Sequence, residues 1–448
     1  MSADPNPRPA DTSVLANPWV QLTLGVICMA CVANLQYGWT LFVSPIDAKY
    51  HWGRTAIQVA FTLFVLLETW LIPVEGYLVD RFGPRYVVIG GAVLATLAWL
   101  VNSVASSLPV LYFGAALGGI GTGCVYGTCV GNALKWFPAR RGFAAGITAA
   151  GFGAGAALTI GPISSMINSA GYEHAFVVFA LIQGGIVFVV AWAMLVAPPS
   201  LVAATPSPDQ TKRAYTPGEV LCSPVFYVLY LLFVLVSAGG LTLAASMAPI
   251  AKDLRIDNAP VQVLGLAMPT LVLALSLNRI FDGAGRPFFG WLSDRMGREA
   301  TMALCFLLGA GALFLLDSFG SDPLAFVLLT AVYFGVYGVI FSLFPATQGD
   351  TFGAKFAAAN AGMLYTAKGT GALLVPVAAS IAKSHGWGTV FTLAMCFNLI
   401  AGLLAVFVLR PLREHHFAQA ARSSSASFKV AATAGTRRTF PRARQDVR

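Results

Sequence analysis

The chain has 448 residues, 57% of them hydrophobic and only 10% charged, with a formal charge of +9. A soluble domain carries about 25% charged residues, so this composition, with a mean hydropathy of +0.73, excludes a water-soluble globular fold and points to helices in a bilayer. The basic balance does not indicate nucleic acid, because nine of the 28 Lys and Arg residues fall between Arg410 and Arg448, in a tail of disordered composition placed to touch anionic lipid.

Residues 1–17 are polar, with Pro5, Pro7 and Pro9, and lack the basic start of a cleavable leader. They read as a cytoplasmic tail, with the first apolar block acting as its own insertion signal. Apolar blocks long enough to cross ~30 Å of hydrocarbon follow near residues 20–43, 55–79, 87–106, 109–133, 142–167 and 174–197. A polar linker over 198–223 carries Lys212 and Arg213. A second set lies near 224–250, 262–292, 300–317, 323–346, 356–383 and 387–409, before the basic cytoplasmic tail over 410–448. The fold expected is all-α: twelve transmembrane helices in two six-helix bundles, 18–197 and 224–409. Of seven cysteines, six lie in apolar blocks without a disulfide framework, and Cys28-x-x-Cys31 reads as packing residues.

Basic residues set the direction. With both termini in the cytoplasm, the inner loops hold Arg81, Arg85, Lys135, Arg140, Arg141, Lys212, Arg213, Arg295, Arg298 and Lys355. The outer loops hold only Lys49, Arg54, Lys252, Arg255 and Lys383.

The two sets also repeat one another. The second helix runs into Gly76-Tyr-Leu-Val-Asp80-Arg81-Phe-Gly83-Pro-Arg85, the eighth into Gly290-Trp-Leu-Ser-Asp294-Arg295-Met-Gly297-Arg298. Glycines let helix ends approach, while Asp and Arg side chains can hold neighbouring helix termini and each other. Phe137-Pro-Ala followed by Thr148-Ala-Ala-Gly parallels Phe344-Pro-Ala followed by Thr366-Ala-Lys-Gly. Through these paired loops the chain resembles the major facilitator superfamily, which implies a pseudo-symmetric fold and alternating access.

Three basic residues, Arg279, Arg286 and Lys368, fall inside predicted spans. Each costs roughly 2.5–3.5 kcal/mol at a helix centre on insertion scales, so each needs a partner or a cavity. Lys368 sits mid-helix between small residues. Arg286 and Asp282 are four apart on one helix face and Asp282 is three from Arg279, so Asp282 is expected to neutralise only one arginine and leave a positive surplus. Two cations on separate helices suit the two ends of a small dicarboxylate, Arg as a planar fork and Lys as a point charge. Mutual repulsion of unoccupied cations would oppose closure, an economical basis for obligatory exchange. Glu68 and Glu75, two turns apart in the second helix, complicate that balance; Glu68 is a candidate for charge pairing or proton coupling.

Gln36-Tyr37-Gly-Trp39, Ala60-Phe-Thr-Leu, Trp136-Phe-Pro138 with Arg141-Gly142, Gly285-Arg286-Pro287-Phe-Phe-Gly290, Leu343-Phe-Pro345 and Ala367-Lys368 together resemble the oxalate/formate antiporter family. The resemblance implies that Arg286 and Lys368 bind substrate carboxylates, with Gln36, Tyr37 and Tyr337 in an aromatic cage and Phe152 and Phe341 at further cage positions. The sequence departs from the best-known pattern of that family, which has Trp at Tyr337, Tyr at Phe152 and Phe341, Gln at Glu68, Gly at Glu75, and Asn at Arg279 and Asp282. The implied activity is exchange of oxalate for formate across a bacterial inner membrane by a monomer. The alternative, suggested by Glu68 and the Asp282–Arg286 pair, is proton-coupled monocarboxylate symport. No P-loop, HExxH or metal-ligand spacing is present, so neither enzymatic activity nor a cofactor or metal is expected.

Overall fold

The computed structural model describes residues 14–137, 141–198, 214–263, 266–353 and 356–419. Arg140, Lys212, Arg213, Lys355 and the tail beyond 419 therefore lie outside the described residues, as do the side chains of Asp80 and Arg141.

The helices of the first set are α1 (Pro18–Tyr37), α2 (Trp39–Tyr50), α3 (Arg54–Trp70), α4 (Ile72–Phe82), α5 (Pro84–Ser103), α6 (Leu108–Trp136), α7 (Arg141–Gly155), α8 (Ile160–Ala170) and α9 (Tyr172–Ala191). A short helix, α10 (Pro217–Leu221), precedes the second set: α11 (Pro224–Asp253), α12 (Thr270–Met296), α13 (Arg298–Phe319), α14 (Pro323–Tyr337), α15 (Ile340–Phe352), α16 (Ala357–Ala372), α17 (Leu374–His385) and α18 (Trp387–Leu404). The last helix continues through a π-helical turn at Ala405–Leu409 and on to Gln419.

Several helices join end to end into bent spans. Among the described residues ten helices are long and apolar enough to cross a membrane, and α3–α4, bent by 46°, makes an eleventh. The remaining expected span is α12, whose 27 residues reach about 40 Å but whose apolar run is broken by Arg279, Asp282 and Arg286. The charges expected to carry function are what set this helix apart from the others. Large apolar side chains such as Leu181, Val189, Phe314 and Leu403 face outward, where lipid covers them.

Small residues bring the helix backbones together. A Cβ on Gly91 would lie 2.7 Å from the Gly121 carbonyl oxygen, so α5 and α6 meet backbone to backbone. The repeat read from the sequence reappears in the turns: Gly83 and Gly297 have φ of +82° and +91°, Gly171 and Gly386 +88° and +81°. These are left-handed values that glycine adopts without strain.

One element differs from expectation. The helix expected near 262–292 begins at Thr270, and residues before it form an antiparallel hairpin, β1 (Pro260–Val263) with β2 (Leu266–Pro269). Pro260 and Pro269, which face each other at the open end of the ladder, and β-branched Val261 and Val263 favour extended backbone. Thr270 then donates from both N (2.9 Å) and Oγ1 (2.7 Å) to the Ala259 carbonyl, closing the hairpin at the start of α12.

Candidate functional site

The breaks in the spans deliver the polar side chains. Helix α1 stops at Tyr37 because the chain bends at Gly38, where a Cβ would lie 2.8 Å from the Asn34 carbonyl oxygen. Helix α14 stops at Tyr337 before Gly338, whose bare backbone leaves room for the Asp282 carboxylate. Helices α3 and α16 approach at Gly369, where a Cβ would lie 2.9 Å from the Trp70 ring. That contact lets Glu68 reach Lys368 directly.

Lys368 is 1% exposed. Its Nζ donates to Glu68 Oε1 (2.9 Å) and Oε2 (2.8 Å), to Gln36 Oε1 (2.9 Å) and, at 3.5 Å, to the Tyr365 hydroxyl. The Phe152, Phe341 and Tyr365 rings surround it at 5.7, 5.6 and 5.4 Å. Arg286, equally buried, donates from Nε and Nη2 to Asp282 (3.1–3.2 Å) and from Nη1 to the Ala149 carbonyl of α7 (2.6 Å). Its Nη2 also reaches the Tyr37 hydroxyl at 3.4 Å. The guanidinium packs 4.6 Å from the centre of the Phe341 ring, so Phe341 is shared by both cations. Gly153 supplies the space: a Cβ there would meet Arg286 Cζ at 3.0 Å.

Asp282 contacts both arginines, yet as one carboxylate it cancels only one of their two charges, as expected. Its Oδ2 accepts from Arg279 Nη1 at 3.3 Å as well as from Arg286, because successive turns of α12 put the two guanidiniums on either side of one carboxylate. Arg279 is held between the Tyr37 and Phe334 rings at 4.0 and 4.5 Å. Neither Arg286 nor Lys368 is a bare cation, since each has a carboxylate from within the chain. Three cations meet two carboxylates, so the expected positive surplus remains, at one charge. Glu75, 3% exposed, lies apart from this cluster beside Gly123 and Cys124.

Around these charges are buried polar atoms without a hydrogen bond among the described residues: Gln36 Nε2, the Tyr337 hydroxyl and both ends of the Asn278 amide. Tyr337 touches Phe341 edge-on at 5.8 Å, and Tyr37 touches Phe152 at 5.4 Å. All seven expected substrate-binding side chains are thus brought into one cluster.

Likenesses to known proteins bear on that geometry. A family model described as Major Facilitator Superfamily matches residues 25–282 and 262–442. The oxalate:formate antiporter of Oxalobacter formigenes is 34% identical over 409 residues, 90% of this chain and 95% of that protein. The chain belongs to the major facilitator superfamily, in its oxalate/formate antiporter family. More distant relatives include a probable sulfoacetate transporter of Cupriavidus necator, 24% identical over 80% of this chain and 85% of that protein. Human monocarboxylate transporter 11 is 27% identical over 65% of this chain and 60% of its own length. As a member of this superfamily the protein is a multi-pass membrane transporter and not an enzyme.

In the superfamily's paired loops, the two copies are braced differently. At the end of α12, Arg298 bonds Asp294 (2.7 Å), Asp350 (3.0 Å) and Ser293, while Arg295 lies over Trp291 at 4.2 Å and Gly290 faces Ser342. At the end of α4, Arg81 bonds the Tyr77 hydroxyl at 3.4 Å, Arg85 lies 6.0 Å from the Trp192 ring, and Gly76 faces open space.

Tyr126 and Tyr365 were missed by the sequence reading. They stack across the two sets at 5.3 Å, one turn from Lys368, and Tyr126 also abuts Phe152. A lone large ring in the glycine-rich run Gly121–Gly131, and a tyrosine three residues before a buried lysine, were the available signals. At the opposite end, where α2 ends and α3 begins, Arg54 grips Asp253 at 2.6 and 3.0 Å, and Trp387 bonds the same carboxylate at 2.9 Å. Deeper in, Gln58 bonds the Ala245 carbonyl, Thr40 the Ala248 amide and Thr62 the Ala372 carbonyl, each at 2.8 Å. The site is therefore enclosed from both ends.

Proposed function

We propose that this protein exchanges small carboxylate anions across the bacterial inner membrane by alternating access, with oxalate and formate as the cargo pair. The observation that carries the reading is the convergence of Arg286 and Lys368, from separate helices, on the Phe341 ring inside an enclosed aromatic cluster. The Glu68 carboxylate already shows how Lys368 receives a carboxylate: two oxygens on Nζ at 2.8–2.9 Å with the Gln36 amide beside them. A cargo carboxylate takes that position by displacing Glu68. The other carboxylate of a dianion competes with Asp282 for the Arg286 fork, and the unpartnered Gln36 Nε2 and Tyr337 hydroxyl are donors within the same cluster. The specific pair, oxalate for formate, is supported by the 34% identity to the oxalate:formate antiporter of Oxalobacter formigenes.

In this reading both termini face the cytoplasm, the monomer is the working unit, and the Tyr126–Tyr365 stack closes the cytoplasmic path while the Arg54–Asp253 latch closes the outer one. Alternation breaks one set of contacts at a time. Purified protein in liposomes tests it: counterflow of labelled oxalate, with oxalate, malonate, formate and lactate as competitors. The two-cation site requires that the dicarboxylates compete more strongly at equal concentration. Competition by lactate alone would instead support proton-coupled monocarboxylate symport, the second reading, which the Glu68–Lys368 pair favours; uptake driven by an inward proton gradient distinguishes it.

A further inference from the structure

We infer that this transporter is not confined to exchange: it also carries its anion one way, returning without cargo, because Glu68 stands in for the cargo at Lys368. The inference rests on the carboxylate reading above and adds the mode of transport to it. Obligatory exchange follows when a cavity lined by bare cations resists closing. Here the closed arrangement gives Lys368 and Arg286 each a carboxylate from within the chain, and a single positive charge is left over. Glu68 belongs to α3 of the first set and Lys368 to α16 of the second, and their 2.8 Å pair is 0% and 1% exposed at the side chains.

This pair crosses between the two sets at the depth where cargo binds, and it crosses together with the Gln36 bond from α1 to the same nitrogen. The Arg286 side needs no cargo either, because Asp282 lies on the same helix and travels with it. A cation taken out of water without a partner is strongly penalised, and a paired one much less so. The chain can therefore close over Lys368 whether a cargo carboxylate or Glu68 occupies Nζ. The two occupants exclude each other: cargo binding breaks the Glu68 pair, and cargo release restores it.

The experiment uses the full-length protein in liposomes loaded with labelled oxalate, with potassium on both sides and valinomycin present so that charge movement is not limiting. Efflux is measured into medium without carboxylate and into medium containing unlabelled oxalate. One-way efflux within about tenfold of exchange is expected. Robust exchange with one-way efflux below about one-hundredth of it overturns the inference and leaves the carboxylate reading standing. Absence of both fluxes overturns the reading and the inference together. In Glu68→Gln the ratio of one-way efflux to exchange should fall about tenfold or more, since a charge-assisted buried bond is replaced by a neutral one. A merely structural role for Glu68 would lower both fluxes in parallel and leave the ratio unchanged, and that result would also overturn the inference.

Discussion

Replacing Arg286 with lysine keeps the positive charge and removes the fork. In the native site three nitrogens are used at once: Nε and Nη2 on Asp282 and Nη1 on the Ala149 carbonyl across the boundary between the two sets. A lysine ammonium is a single point, and from the same helix position it serves Asp282 or Ala149 but not both. At least one charge-assisted bond is lost, worth about 1.5–3 kcal/mol when buried, and the flat face packed on Phe341 at 4.6 Å goes with it. If the same fork holds a cargo carboxylate, oxalate counterflow should fall about 100-fold in Arg286→Lys. The protein should still elute as a single species, because its net charge and the Asp282 pair are preserved. A rate within about threefold of the unsubstituted protein, with oxalate still competing at the same concentration, would refute the geometry and reduce Arg286 to a brace for α12.

Lys368→Gln should abolish exchange while the protein still inserts, and should lower its thermal midpoint in detergent by leaving Glu68 buried without a cation, a loss of about 3–5 kcal/mol; the double substitution Glu68→Gln, Lys368→Gln should recover the midpoint but not transport. Asp253→Asn should slow exchange by no more than about fivefold, since exposed pairs contribute about 0–1 kcal/mol and the latch is 31% and 41% exposed at its side chains; a hundredfold loss would show that the latch governs turnover. Gly123→Ala should lower the thermal midpoint, because its Cβ would lie 2.6 Å from Glu75 Oε1 and 2.8 Å from the Glu68 carbonyl oxygen, and overpacking of that kind costs about 1–3 kcal/mol. An unchanged midpoint would mean that α6 moves away from α3 without penalty.

The spans were legible in the sequence because lipid allows few alternatives: an apolar run of the right length must be a helix. The paired loops were legible because Gly83 and Gly297 both need a left-handed backbone and each is followed by an arginine within two residues. Arg279, Arg286 and Lys368 stood out for the opposite reason, as charges where none are tolerated without a partner. What one dimension does not show is which acid meets which base. Glu68 and Lys368 are 300 residues apart, and only the close approach at Gly369 pairs them. The sharing of Asp282 between two arginines was hidden for a subtler reason. Spacing gives the face but not the rotamers, and it is the Tyr37 and Phe334 rings that hold Arg279 in place beside the carboxylate. The hairpin before α12 escaped because its valines and leucines read equally well as the start of a helix.

The acids at Glu68 and Asp282 give a physical reason for the departures from the family pattern. An extra arginine at position 279, buried between helices, needs a counter-charge, and Asp282 supplies one at 3.3 Å. Having done so it also lies against Arg286, and in the proposed site a cargo carboxylate would have to compete with it. At Lys368 the corresponding competitor would be Glu68. Such competition selects by number of carboxylates: a monocarboxylate can take one cation while the other stays satisfied by the chain, whereas a dicarboxylate engages both at once, its second contact being intramolecular once the first is made. An internal acid therefore weakens every cargo, a monocarboxylate displacing one acid and a dicarboxylate both, and the dicarboxylate keeps its advantage only because its second contact is intramolecular.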